Sequence, residues 1–219
     1  MPFRKVPAVT LLIIAVNLYV FIHISLLAQG GKGLFIQYGA VPYKLLHQVA
    51  EQPFGVLATV ATSLFLHSGF LHLLVNMFYL WLFSHRIEHE LGPLRFLLFY
   101  FFCGLCADYI YAFTAPNSLR PLVGASGAVS GVIGAYILLF PQAKVHSLLF
   151  LVVYIKKLSI PAFLIIGAWA SFQFYGGLVS LLLIKNNNTA WFAHLGGFLV
   201  GLSTIRLWMP EREHPDNDD

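Results

Sequence analysis

Six apolar runs, at residues 6–28, 68–85, 93–113, 123–140, 159–184 and 190–208, confine this 219-residue chain to few folds. An α-helix needs about 20 apolar residues to cross the hydrocarbon core of a bilayer. Backbone polar groups find no partner in lipid, so runs of this kind fold as bundled helices. Composition agrees: the chain is 58% hydrophobic and 10% charged, and its mean hydropathy is +0.77. Ordinary soluble domains are far less apolar. The sequence predicts an all-α, polytopic membrane bundle of six transmembrane helices over residues 1–209, with a polar cytoplasmic tail at 210–219. Its surroundings are the lipid bilayer. A pI near 9.1 does not imply nucleic acid, because the cations stand singly between apolar runs.

The first run follows Arg4 and Lys5 and has 23 residues, with no A-x-A-like site after it. That makes it a span rather than a signal peptide. Residues 30–66 contain helix-breaking Gly30, Gly31 and Gly33, yet also Phe35, Ile36, Tyr43, Leu45, Leu46 and Phe54. A loop that apolar is expected to lie in or on the bilayer. The 11 residues from 145 to 155 are too short to cross and are expected at the interface. With the N-terminus in the cytoplasm, Arg4, Lys5, Arg86, Arg95, Lys144, Lys156, Lys157, Arg206 and Arg212 fall inside, and Lys32, Lys44, Arg120 and Lys185 outside. The bias supports six spans with both ends cytoplasmic.

Polar groups inside spans are costly and mark function by default. The stretch Gly124-Ala125-Ser126-Gly127-Ala128-Val129-Ser130-Gly131 opens the fourth span. The first turn of a helix has free N–H groups and a partial positive charge, the donors an oxyanion needs. Ser126 is therefore a candidate nucleophile. Two other readings compete. Gly127-xxx-Gly131 is a small-xxx-small packing pattern, and Ser126 suits an N-cap.

His194 lies nine residues past Lys185 and Ser126 five past Pro121, which puts the two at similar depth near the outer face. Gly197 and Gly201 share a face with His194, as Gly131 shares one with Gly127. Two such smooth faces pack backbone to backbone and would bring imidazole and hydroxyl together. An imidazole partly withdrawn from water stays neutral, the state of a general base. The alternative is a histidine that only bonds between helices. His72 and Asn76, four residues apart on the second span, share a face and are donors suited to an oxyanion; the alternative is interhelical bonding. His67 extends that polar face outward.

No acidic residue neighbours His194 in sequence, and Asp108 is the only one inside a span. A Ser126–His194 dyad is therefore expected rather than a triad. Packing, for example by Trp191 or Phe192, would orient the imidazole. Cys103-x-x-Cys106 lies in an apolar run without a second pair, and reads as two buried thiols. No metal or cofactor is expected.

These clusters together resemble the rhomboid family of intramembrane serine proteases. The G-x-S-G motif is Gly124-Ala125-Ser126-Gly127. The histidines and amide of the second helix are His67, His72 and Asn76, and the A-H-x2-G-x3-G motif is Ala193, His194, Gly197 and Gly201. The likeness runs in family order from about residue 58 to 208. Thr62 to His67, Glu88 with Gly92, and the Pro141–Pro161 loop add to it. The resemblance implies Ser126 as nucleophile and His194 as base, with Asn76, His72 and the Ser126 N–H forming the oxyanion hole. It also implies a membrane-embedded hairpin in the first loop. Substrates would be transmembrane proteins whose helices enter sideways and are cut near the outer face, at small residues. The compact layout suits a bacterial cytoplasmic membrane, with an organelle membrane as the alternative. The chain departs from some members at Ala58 and Thr59, where they carry Trp-Arg, and at Ser130, where they carry a Tyr that stacks on the histidine. An inactive binding or chaperone module of the same fold is the rival reading; it would lack Ser126 or His194. A proton or solute transporter using His72, Asn76, Asp108 and His194 is a further alternative, and it would show paired broken helices in two related halves.

Overall fold

A computed structural model describes residues 6–27, 31–151, 154–182 and 190–211. Arg4, Lys5, Gly30, Lys185 with the three asparagines after it, and the tail from Arg212 lie outside the described residues. The chain begins with α1 (Ala8–Leu26), followed by three short helices, α2 (Lys32–Tyr38), α3 (Pro42–His47) and α4 (Pro53–Ser63). Then come α5 (Phe70–Leu91), α6 (Pro93–Thr114) and α7 (Ser126–Leu139). Strands β1 (Lys144–Leu151) and β2 (Tyr154–Pro161) precede α8 (Ala162–Leu182) and α9 (Trp191–Trp208).

The six expected spans correspond in order to α1 and α5 to α9. By length and composition, α1, α6 and α8 are long and apolar enough to cross a membrane. The second helix runs six residues beyond the expected stop at 85. The physical reason is that its polar end is satisfied. Arg86 reaches the Tyr136 hydroxyl at 3.4 Å and lies over the Phe140 ring, so charge there does not end the helix. Gly92 ends it instead, at φ 78°, and Pro93 starts α6 at once.

Residues 31–66, expected as an apolar loop in or on the bilayer, form α2, α3 and α4. Pro42 and Pro53 each open a helix, where a missing N–H costs nothing. Ala40 exchanges backbone hydrogen bonds with Leu122 at 3.1 and 2.7 Å, and the Thr62 hydroxyl donates to the Tyr38 carbonyl at 2.6 Å. Ala40 and Leu45 are buried with Val56, Val60 and Ala112. These contacts anchor the segment through α4, the helix that carries Ala58 and Thr59. The stretch expected at the interface carries no conformational signal in its sequence; residues 144–151 and 154–161 form an antiparallel pair whose register runs from Lys144 opposite Pro161 to Leu151 opposite Tyr154. A short apolar run suits a strand as well as a helix, and periodicity alone does not separate them.

Within the bundle α7 is the central element. Its residues Gly127 to Tyr136 are all buried, as befits a helix apolar on every side. Against it pack α5, α6 and α9, with Leu80, Phe83, Phe99, Tyr100, Ile133 and Ile205 in the core. Outer faces stay apolar: Phe70, Leu71, Phe78 and Trp81 on α5 and Phe172 and Leu181 on α8 are exposed. A surface of that kind is stable against lipid and not against water.

Glu88 joins α1 to α5. Its carboxylate accepts from the Val9 N–H at 2.9 Å, the Thr10 N–H at 2.8 Å and the Thr10 hydroxyl at 2.7 Å. Pro7, at the N-cap of α1, supplies no side-chain bond. A residue 78 positions away thus caps the helix and offsets its positive end.

Candidate active site

The sequence Gly124-Ala125 delivers the chain into α7. Gly124 has φ 119°, a region that side chains disfavour. A Cβ there would lie 2.7 Å from the His72 ring. Glycine is needed on both counts, and the close approach sets His72 against the turn that carries Ser126. The Gly124 N–H donates to the Ser63 carbonyl at 2.9 Å, which fastens the turn to the end of α4.

Ser126 is the first residue of α7, with Ala125 at the N-cap position and no side-chain cap. The N-cap reading of Ser126 is thereby excluded. Its hydroxyl instead lies 2.8 Å from His194 Nε2. The small-residue seam is also present, so the packing reading of the glycines and the pairing of the two side chains hold together. A Cβ on Gly197 would strike the Gly127 carbonyl, and one on Gly201 the backbone of Gly131. Gly131 also sits against the buried Cys103. Backbones this close place the starts of α7 and α9 side by side.

Lining the same cavity, His72 and Asn76 are one turn apart on α5. Asn76 Nδ2 donates to the His72 carbonyl at 2.9 Å, and His72 Nδ1 lies 3.2 Å from the Ser68 hydroxyl. His67, in the loop before α5, is buried edge-on to His72 with ring centroids 5.0 Å apart. Burial and the neighbouring His72 push its imidazole down to about 3, so it is neutral near pH 7.

A cavity of about 570 Å³ opens beside the dyad. Its lining brings together Ser126, His194, His72 and Asn76, with Tyr79, Trp169 and Arg120 among the rest. Volume and mixed lining are those of a small-molecule or peptide site. Asp108 is not part of it; its nearest polar partner is the Ser63 hydroxyl at 3.4 Å. Ser130 donates to the Ser126 carbonyl at 2.6 Å and does not reach the imidazole.

Packing alone does not orient His194, contrary to expectation. Trp191 stands edge-on with ring centroids 6.5 Å away. The direct partner of Nδ1 is Gln173 Oε1, at 2.8 Å, reaching across from α8. The reading of the sequence missed it. The signal was there: Gln173 is an amide in the middle of an apolar span, the same criterion that singled out Asn76.

The Rhomboid domain family matches residues 55–211. The chain belongs to the rhomboid family. It is 32% identical over 142 residues to the Presenilin-associated rhomboid-like protein A, mitochondrial, of Danio rerio, covering 64% of this chain and 34% of that protein. A Bacillus subtilis rhomboid protein is 32% identical over 151 residues, covering 66% of each. The Inactive rhomboid protein 1 of Drosophila melanogaster is 35% identical over 78 residues, covering 36% of this chain and 5% of that protein. The chain thus spans between about a third and two thirds of the first two relatives. It is a rhomboid-family integral membrane protein with several membrane-crossing helices. Both protease and inactive members occur in the family.

Proposed function

We propose that this rhomboid protein is an intramembrane serine endopeptidase that cleaves transmembrane-protein substrates by a Ser126–His194 dyad. The observation that carries the reading is the 2.8 Å contact between Ser126 Oγ and His194 Nε2 at the edge of an open cavity. That distance is hydrogen-bond reach for a nucleophile and its base.

The chemistry follows from the groups present. Ser126 Oγ attacks the scissile carbonyl carbon while its proton passes to His194 Nε2. Negative charge gathers on the former carbonyl oxygen, where the Ser126 N–H, Asn76 and His72 are suited to receive it. His194 then gives its proton to the leaving amine as the C–N bond breaks, leaving an acyl ester on Ser126. Water, deprotonated by His194, attacks the ester and releases the acid, and Ser126 recovers its proton. Glycines around Ser126 leave room for an extended segment, which a substrate helix presents only after local unwinding.

The lipid-facing character of the outer surfaces, and the position of Ser126 and His194 on helices of the bundle, support membrane helices as the substrate class. A bacterial cytoplasmic membrane with both termini in the cytoplasm is the location we propose; the charge bias and the Bacillus relative support it, although the Danio rerio relative is mitochondrial by name.

The test is a serine-directed fluorophosphonate on purified protein in detergent, with turnover of a helical reporter. Wild type is expected to label and to cleave, and Ser126→Ala to do neither while melting normally. Unlabelled, inactive wild type would instead assign the chain to the inactive members.

A further inference from the structure

We infer that Gln173 is a positioning residue that selects the proton-accepting tautomer of His194. The inference rests on the dyad reading above. A neutral imidazole has one N–H and one lone pair. To take the Ser126 proton, His194 must present the lone pair at Nε2, which puts its hydrogen on Nδ1. A hydrogen there needs an acceptor, since a donor left without one in the protein interior is costly. Gln173 Oε1 lies 2.8 Å from Nδ1 and fills that need. Were the amide turned to offer its N–H, the imidazole would carry its hydrogen on Nε2 and donate to Ser126 instead. Nδ1 would then accept from the amide, and Nε2 could not take the Ser126 proton. The orientation of one amide thus decides whether the dyad is competent.

Two further observations support the assignment. Gln173 is 6% exposed and one of the few buried residues of α8. Gly176, one turn on, lies against the Trp191 ring, where a Cβ would be 2.6 Å away, and Gly177 lies against Phe192. Those contacts set α8 directly on the first turn of α9, which carries His194. The helix face is therefore shaped to deliver the amide to this nitrogen. Glu88 is engaged with α1 and the nearest polar partner of Asp108 is Ser63, so an uncharged acceptor takes the place a carboxylate holds in a triad.

Among the described residues, the titratable and charged groups that line the cavity with His194 are His72 and Tyr79 on α5, Tyr111 on α6 and Arg120 in the loop before α7. Among the described residues α7 presents Ser126 there and α8 presents Gln173. These neighbours are common to every variant, so a change at position 173 is read by difference. The experiment compares wild type with Gln173→Leu, which fills the space without an acceptor, and Gln173→Glu, which restores one. Each is measured for fluorophosphonate labelling rate, kcat, KM, kcat/KM against pH, and melting. Gln173→Leu is expected to lower kcat and the labelling rate by about 10- to 100-fold with KM unchanged. Gln173→Glu is expected to retain most activity and to move the acid limb of kcat/KM upward by about one pH unit or more, because a carboxylate at Nδ1 favours the imidazolium. Wild-type kcat and labelling in Gln173→Leu would overturn the inference. If that variant fails to fold, an unmoved acid limb in Gln173→Glu would do so. Wild type that does not label at all would defeat the dyad reading rather than this one.

Discussion

Asn76 is tied to its own helix: one N–H of its amide is spent on the His72 carbonyl, and the second is left to turn into the cavity that Asn76 lines. That makes it a donor with little freedom, as an oxyanion donor should be. Asn76→Ala is expected to lower kcat by about 10²–10³ with a small change in KM. An unchanged kcat would leave it a residue that only stiffens α5. Gly124 presents a second single-residue case. Its φ of 119° and the His72 ring at 2.7 Å from any Cβ mean that Gly124→Ala strains the backbone and shifts an oxyanion candidate together. Loss of about 1–3 kcal/mol in stability is expected, with a fall in kcat larger than that melting shift explains. Normal melting and kcat would show that the turn adapts. The residue scale is also where the sequence was most informative. The sequence pointed to the 2.8 Å approach of Ser126 and His194 because glycines at four-residue spacing announce a close helix contact, and each side chain begins such a stripe. Gln173 was overlooked because, unlike Asn76 with His72, it has no polar neighbour one turn away on its own span, although an amide in an apolar span is the same anomaly.

At the scale of elements, the long helices were legible because lipid demands uninterrupted apolar length, while their ends were set by contacts that no local pattern records. The second helix outran its expected stop because Arg86 and Glu88 each meet a partner from another part of the chain. Helices α2, α3 and α4 went unread because they are short, although Pro42 and Pro53 mark two of their starts. The β1–β2 strands went unread because a short apolar run does not declare its period. The capping of α1 by Glu88 gives a test at this scale. Three hydrogen bonds to one carboxylate are lost in Glu88→Ala, each charge-assisted, and the start of α1 is left uncapped. A stability loss of about 3 kcal/mol or more is expected in detergent unfolding, with Glu88→Gln recovering part of it. Equal stability of Glu88→Ala and wild type would show that lipid or water can cap α1 as well. The α7–α9 seam makes a sharper demand, since Gly197 and Gly201 oppose backbone rather than flexible side chains.

For the whole molecule, the two ends of the bundle differ in charge and in what they hold. Arg86 meets Phe140 at the end where Pro7 also lies. Arg120 borders the cavity with Ser126 and His194 at the other. The short central helix explains why the dyad lies where it does. At about 1.5 Å per residue, α7 rises roughly 21 Å, less than a roughly 30 Å hydrocarbon core. With its far end level with the Arg86 boundary, its start falls short of the opposite face. Ser126 is then below the membrane surface, and a cavity is what lets water reach it, since irregular backbone at that depth is tolerated only beside one. In the topology proposed from the charge bias, the cavity end faces outside. This orientation is testable in a Cys103→Ala, Cys106→Ala background with a membrane-impermeant maleimide. Asn117→Cys, in the loop at the cavity end, is expected to react in intact cells. Lys144→Cys, at the start of β1, is expected to react only after the membrane is opened. The reverse pattern would invert the chain in its membrane and place the dyad's opening on the cytoplasmic side, where substrates would have to be cut.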